Sequence, residues 1–428
     1  MPLRQVVPCV ALLAFLFVDG ASLLGEEWIE VRSPDARVTL RLAVDVGQIQ
    51  FQVIRDGRVV IGPSALRPQL ADVSLWENTR LVASERGSNV SQFDLPWGKT
   101  KTVSNRYSYA VANLQSQAQV AWTVELRAYD DGVAWRYVLR PNEAGQPLRL
   151  LGEDTEFAIE GAPRVMFNTL EHFTTSHEME FQFRPLHDVP AKRLMDCPVL
   201  LVWPNGQAAA ITEARIRSFP GMYVERPTED STSLRCRLSP LLEHSDSCVV
   251  STGALQSPWR VVLLGDSAGK LHESNLLLCL NDPPAADFSW VEPGKTTFHW
   301  WNGDFEEDYT LPDGDETFVK RHFAYIDFCV RNGIRYHALS GDGRPWYEQT
   351  GGDYGNPTVD ADVRKPRPEI QLPAILEYAR QRDVGMRLWV HWKPLSAHLD
   401  EAFSLYESWG IRGLMVDFLD RDDQEMNE

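Results

Sequence analysis

Past Val18 the chain has no apolar run long enough to cross a bilayer, so the body of the protein carries no helical membrane span. It also lacks an excess of positive charge: 42 Lys and Arg face 60 Asp and Glu, a formal net charge of −18. Nucleic-acid binding needs a basic footprint, and none is present overall. Cysteine is scarce at six, and Cys197, Cys236, Cys248, Cys279 and Cys329 match no metal spacing and have no neighbouring His to make a thiol nucleophile. Cys236 and Cys248 could close a short loop in an oxidising compartment, and separate burial of each fits as well. Zinc hydrolases, serine esterases and nucleotide enzymes each leave a signature that is missing. There is no His-Glu-x-x-His, no Gly-x-Ser-x-Gly and no glycine-rich phosphate loop, since Gly341-Asp342-Gly343 lacks the rest of either phosphate signature. Internal repeats and low-complexity tracts are absent too.

What is present reads as ordinary globular protein, 43% hydrophobic and 24% charged. At 428 residues it is long enough for two or three domains and a sizeable core. Fourteen Trp give an ample supply of flat apolar faces, which serve cores and sugar rings alike. The first stretch, Met1–Ala21, has one positive charge at Arg4, the uncharged run Val6–Val18 and then small residues. These are the dimensions of a cleaved secretory signal peptide, which removes Cys9 and predicts a secreted or periplasmic protein.

From Trp28 to about Leu280 short runs alternate polar and apolar residues, as in Gln50-Phe51-Gln52-Val53-Ile54, with turn pairs such as Asp56-Gly57 between them. That period predicts an antiparallel β-sandwich over residues 22–290. Past Val291 the pattern changes. Apolar strands ending at His299/Trp300, Ser340/Asp342, His391/Trp392 and Asp417 alternate with helices expected at Glu316–Asn332, about Glu369–Arg382 and about Ala402–Trp409. Such βα alternation predicts a parallel sheet, and the fold class expected for 291–428 is the first four βα units of a (β/α)8 TIM barrel. A whole barrel takes roughly 200–250 residues. The stretch after Thr296 holds about half that, and Asp420–Glu428 reads as a βα loop entering a helix, so the sequence is expected to be a C-terminally truncated piece of a longer chain.

In that architecture reactive groups gather at the C-terminal ends of the strands. Asp417 is the first candidate, a carboxylate held rigidly at the mouth of an apolar strand, either as a nucleophile or as a cap on the following helix. His391 and Trp392 end the neighbouring strand and could bond and stack on a sugar. Asp342, with Trp346 and Tyr347, lies on the loop after the second strand. Asp420, Asp422, Asp423 and Glu425 could hold a hard cation or simply form the acidic first turn of a helix, with Arg421 paired to one of them.

Taken together, six stretches resemble glycoside hydrolase family 97, a family of α-glucosidases and α-galactosidases. They are Asp131-Gly132-Val133-Ala134-Trp135-Arg136-Tyr137, Ile211-Thr212-Glu213-Ala214-Arg215 with Pro220-Gly221-Met222-Tyr223, Ser257-Pro258-Trp259-Arg260, Trp290-Val291-Glu292-Pro293-Gly294-Lys295, Trp300-Trp301-Asn302-Gly303, and Gly413–Phe418 running into Asp420–Gln424. The resemblance implies a sandwich packed on a catalytic barrel, an oligosaccharide substrate, and a calcium ion held near the active site by carboxylates of both domains, with Glu213 as the sandwich ligand. It implies that Asp417 is the nucleophile of a retaining member, because Lys393 stands where inverting members carry a base glutamate. The acid/base glutamate would fall beyond Glu428. His391, Trp392, Lys393, Asp342 and Trp300 are then expected substrate-binding residues. An inverting α-glucosidase of the same family and a non-catalytic carbohydrate-binding protein are the competing readings.

Overall fold

The computed structural model describes residues 28–45, 47–118, 120–141, 147–300 and 316–428. The expected signal peptide, with Cys9, and the stretch Trp301-Asn302-Gly303 lie outside the described residues.

Strands β1 (Trp28–Arg32), β2 (Val38–Asp45), β3 (Gln48–Arg55) and β4 (Arg58–Ala65) form an antiparallel sheet in chain order. In β3, Ile49, Phe51 and Val53 are buried while the intervening glutamines are half-exposed, the pattern of a strand with one face on a core. Asp56 and Gly57 both take positive φ, 50° and 75°, which lets a tight hairpin join β3 to β4. A second antiparallel sheet has ten strands among the described residues. The functionally relevant ones are β5 (Gly132–Leu139), β6 (Ala208–Ala214) and, past the short β7 (Met222–Glu225) of a separate three-stranded sheet, β8 (Trp259–Gly265). Phe51 of the first sheet meets Trp135 of β5 with ring centroids 4.1 Å apart, so both sheets share one core, as a sandwich requires. The five cysteines described are all free, and Cys236 and Cys248 are each buried as thiols. No helix among the described residues is long and apolar enough to cross a membrane.

The C-terminal part is built on β9 (Thr296–Phe298), β10 (Tyr336–Leu339), β11 (Gly385–His391) and β12 (Gly413–Asp417), parallel neighbours in chain order. Helix α1 (Glu316–Asn332) follows β9 and ends at Gly333, φ 61°, with Ile334 N–H on the Cys329 carbonyl at 2.9 Å. Its apolar residues alone follow helix spacing loosely. The buried stripe is Phe318, His322, Tyr325, Ile326 and Cys329, which includes a histidine and a cysteine, while Val330 is exposed.

Two expected helices shift. The one placed at Glu369–Arg382 is α2 (Leu372–Arg380), because Pro368–Ile370 forms a 3-10 turn and Gln371 sits at φ 48°. The one placed at Ala402–Trp409 starts earlier, as α4 (Leu399–Ser408), after a short α3 (Trp392–Ser396) that the alternation hid. Past Asp417 the acidic stretch makes turns rather than opening a helix.

Between β9, β10 and α1 lies a dry polar chain. The Thr297 hydroxyl is 2.7 Å from His337 Nδ1, and His337 Nε2 is 2.7 Å from His322 Nδ1. Burial pushes the His337 imidazole down to about 3 and His322 well below the usual histidine range. Both rings are therefore neutral near pH 7, whereas in an unfolded chain they take protons as pH falls through about 6.5. This contribution to stability is present above that value and is lost as pH falls toward 3, with a limiting slope of about 1.4 kcal/mol per pH unit per imidazole. Hydrogen exchange at α1 and β10 amides is expected to lose protection below pH 6, and His322→Asn should flatten the dependence. Protection independent of pH from 7 to 4.5 would contradict it.

Candidate active site and the acidic cluster at the domain junction

All the strand-end residues singled out from sequence lie at the C-terminal edge of the parallel sheet. Asp417 ends β12, and His391, its register partner, ends β11. The Asp417 side chain is exposed, on a strand paired on its β11 side. Its oxygens accept from Trp389 Nε1 at 2.9 Å and from the Phe418 backbone N–H at 2.8 Å. It caps no helix among the described residues and forms no ion pair there.

His391 is buried, with Nδ1 accepting from the Lys393 N–H at 3.1 Å, so that atom caps α3. Burial lowers its pKa and a backbone hydrogen bond with Gly355 opposes that. The ring lies parallel to Phe418, centroids 5.5 Å apart at 11°, so Phe418 covers one face. Trp392 is half-buried, and its indole N–H is itself buried and has no acceptor among the described residues. Lys393 is exposed, with Nζ 5.4 Å from the Trp392 ring. Asp342 is exposed after β10, 3.9 Å from Arg321, and Trp300 is exposed after β9. Thus His391, Trp392, Lys393 and Asp417 group on neighbouring strands, while Asp342 and Trp300 stand on the other two strand ends without a contact to Asp417. Sequence reasoning missed Trp389 and Phe418. The Trp389 position, two before His391, puts both on one face of β11, which was the available signal.

The Glu213 side chain is 8% exposed. On β6 it faces Arg260 of β8 in register, and Arg260 Nη1 donates to it at 2.6 Å, while the Met222 N–H donates to its other oxygen at 2.6 Å. Arg260 also grips Glu153 through Nε at 3.2 Å and Nη2 at 2.6 Å, and the Tyr137 hydroxyl adds a donor to Glu153 at 3.0 Å. One buried guanidinium thus faces two carboxylates. Burial pushes the Glu213 carboxyl up to about 7, with Arg260 pulling it down and Asp422 and Glu153 pushing it further up.

Asp422 belongs to the segment leaving β12, and this segment docks on the sandwich. The Tyr223 hydroxyl donates to Asp422 at 2.8 Å, the Gly221 N–H to its carbonyl at 2.8 Å, and the Thr175 N–H to the Asp420 carbonyl at 2.9 Å. Gln424 exchanges side-chain bonds with the Val250 backbone. Arg421 neutralises Asp423 and Glu425, donating to them at 2.6 and 2.9 Å. A Cβ at Gly221 would lie 2.2 Å from the Asp422 carboxylate, so only glycine lets that carboxylate approach. Burial raises the Asp422 pKa. The junction therefore has hard oxygen donors and more buried negative than positive charge, which suits a cation such as calcium. No group of three or more His, Cys, Asp or Glu among the described residues forms a ready metal cage, so Glu213 and Asp422 would supply part of a ligand set.

A two-sheet domain is thus docked through an acidic junction onto parallel βα units that carry a carboxylate on their strand-end rim. The chain belongs to glycoside hydrolase family 97: residues 31–283 match the family's N-terminal domain and residues 300–428 its glycoside hydrolase 97 domain. It is 27% identical to a retaining alpha-galactosidase of Bacteroides thetaiotaomicron, over 95% of this chain and 62% of that protein. The chain spans about three fifths of the length of the curated relatives it matches. In fold it is similar to a family 97 enzyme of Pseudoalteromonas sp. strain K8 solved with panose, with a TM-score of 0.82 and 22% identity over 93% of this chain and 63% of that one. A β-arabinopyranosidase gives a TM-score of 0.76 at 19% identity over the same shares of the two chains.

Tyr223→Phe leaves the buried Asp422 oxygen without its donor, at a cost of about 1–3 kcal/mol. Amide exchange across 420–428 should accelerate correspondingly. Exchange at the wild-type rate would show that this bond does not hold the junction.

Proposed function

We propose that the chain is part of a secreted or periplasmic retaining α-galactosidase acting on oligosaccharides, with a sandwich at 22–290 and a barrel beginning at 291. The observation that carries this reading is the Asp417 carboxylate: it ends a parallel strand, has no ion-pair partner among the described residues, and is oriented by two N–H donors. The alternation of β9–β12 with helices supports the first half of a (β/α)8 barrel, and the leader supports export. The Bacteroides relative supports a galactoside, and Lys393 in place of a base glutamate supports retention over inversion.

In this mechanism an Asp417 oxygen attacks C1, forming the C1–O bond as the bond to the leaving oxygen breaks. The leaving oxygen takes a proton from the acid glutamate that family resemblance puts beyond Glu428. Water then adds to C1, gives its proton to the same glutamate, and Asp417 departs as carboxylate. Two inversions give net retention. Trp392 and Lys393 hold sugar hydroxyls, with Trp300 and Asp342 further along the rim. Glu213 and Asp422 take part in holding calcium, which when bound would offset the buried charge and fix the junction.

In the full-length protein, Asp417→Ala should lower turnover of an aryl α-galactoside by about a thousandfold or more, and proton NMR should show the α-anomer of the sugar released first by the wild type. Turnover surviving the substitution, or β-anomer appearing first, would refute the assignment. Calcium at a hundredfold excess over its Kd should stabilise the protein by about 2.7 kcal/mol, and Glu213→Gln should remove that rise in Tm. A Tm indifferent to calcium or to chelator would count against the metal.

A further inference from the structure

We propose that Trp389 is the positioning residue of the Asp417 carboxylate, setting its rotamer for attack; this rests on the reading of Asp417 as nucleophile. Trp389 is 3% exposed on β11, and its ring plane is fixed from several sides. Tyr354 packs edge-on at 5.1 Å and 81°, and Phe418 edge-on at 6.1 Å and 83°. The Trp389 carbonyl is itself held by the Trp346 indole N–H at 2.7 Å. The indole has one donor, and it goes to Asp417 Oδ2 across the strand pair.

The other oxygen is held differently. Phe418 is a non-glycine residue at φ 61°, a left-handed conformation that is uncommon for such a side chain, and in it the Phe418 N–H turns back onto Asp417 Oδ1 at 2.8 Å. His391 stacks on one face of the Phe418 ring, and a Cβ at Gly355 would lie 3.2 Å from that ring. Each carboxylate oxygen thus accepts one N–H and keeps lone-pair capacity for carbon. When an oxygen forms the glycosyl ester its negative charge is lost, and the donors favour return of the carboxylate as water enters.

The test uses the full-length protein with two changes at this position: Trp389→Phe, and incorporation of 3-benzothienylalanine, which keeps the bicyclic shape and replaces N–H by sulfur. With an aryl α-galactoside, both should lose about 10–100-fold in kcat, as expected for a hydrogen bond to a charged group, with KM within about threefold. Wild-type kcat in the benzothienyl protein would overturn the proposal even if Trp389→Phe misfolds. Trapping the wild type with a 2-deoxy-2-fluoro-α-galactosyl fluoride and mapping the labelled peptide separates the two levels. A label on Asp417 upholds the nucleophile whatever Trp389 does, and a label elsewhere overturns the nucleophile and the positioning role with it.

Discussion

Arg260 sets the constraint on which the junction and the rim depend. A fully buried guanidinium is tolerable only when its donors are used, and here they are spent on Glu153 and Glu213. Glu213 in turn accepts the N–H of Met222, which fixes the start of β7, and the next residue, Tyr223, holds Asp422. Asp422 lies five positions beyond Asp417 on the same segment. A continuous run of hydrogen bonds and a short piece of chain therefore connects the interior of one domain to the strand-end carboxylate of the other. Removing one partner from a buried pair of this kind costs about 3–5 kcal/mol, so the position of the rim is tied to the integrity of the sandwich.

This path also accounts for the stretches by which the family is recognised. The Ile211–Arg215 and Pro220–Tyr223 segments are joined by the bond from Met222 to Glu213, and Ser257–Arg260 supplies the guanidinium. Gly221 is required by the approach of Asp422, which comes from the final stretch, Asp420–Gln424. Segments scattered over the sequence meet at one place because they share a charge balance, and that balance is three-dimensional.

The strands of the sandwich and the four parallel strands were legible because their signals are local: period two in β3, and apolar runs ending in polar residues in β9–β12. Glu213 was legible as a site residue through family resemblance alone. Its burial was not, since an isolated glutamate in a strand normally faces water and only the register with Arg260 makes the interior acceptable. The helix α1 stripe was partly hidden for a related reason. Counting apolar residues omits His322, which is buried because His337 satisfies one of its nitrogens. Trp389 was invisible as anything but core because its role depends on a diagonal contact between strands.

The two buried polar systems answer burial with different partners. Around His322 and His337 the fold keeps the rings neutral, so no counter-charge is needed. Around Glu213 one guanidinium faces two carboxylates, and burial pushes the Glu213 carboxyl up against the pull of Arg260. A carboxyl pushed up to about 7 binds its proton more tightly in the folded state than in the unfolded chain, so its contribution weakens as pH rises from about 4.5 through 7. A cation held beside Glu213 and Asp422 would reverse that sign by favouring the ionised forms, and the carboxylates on the two sides of the junction would then share one counter-charge.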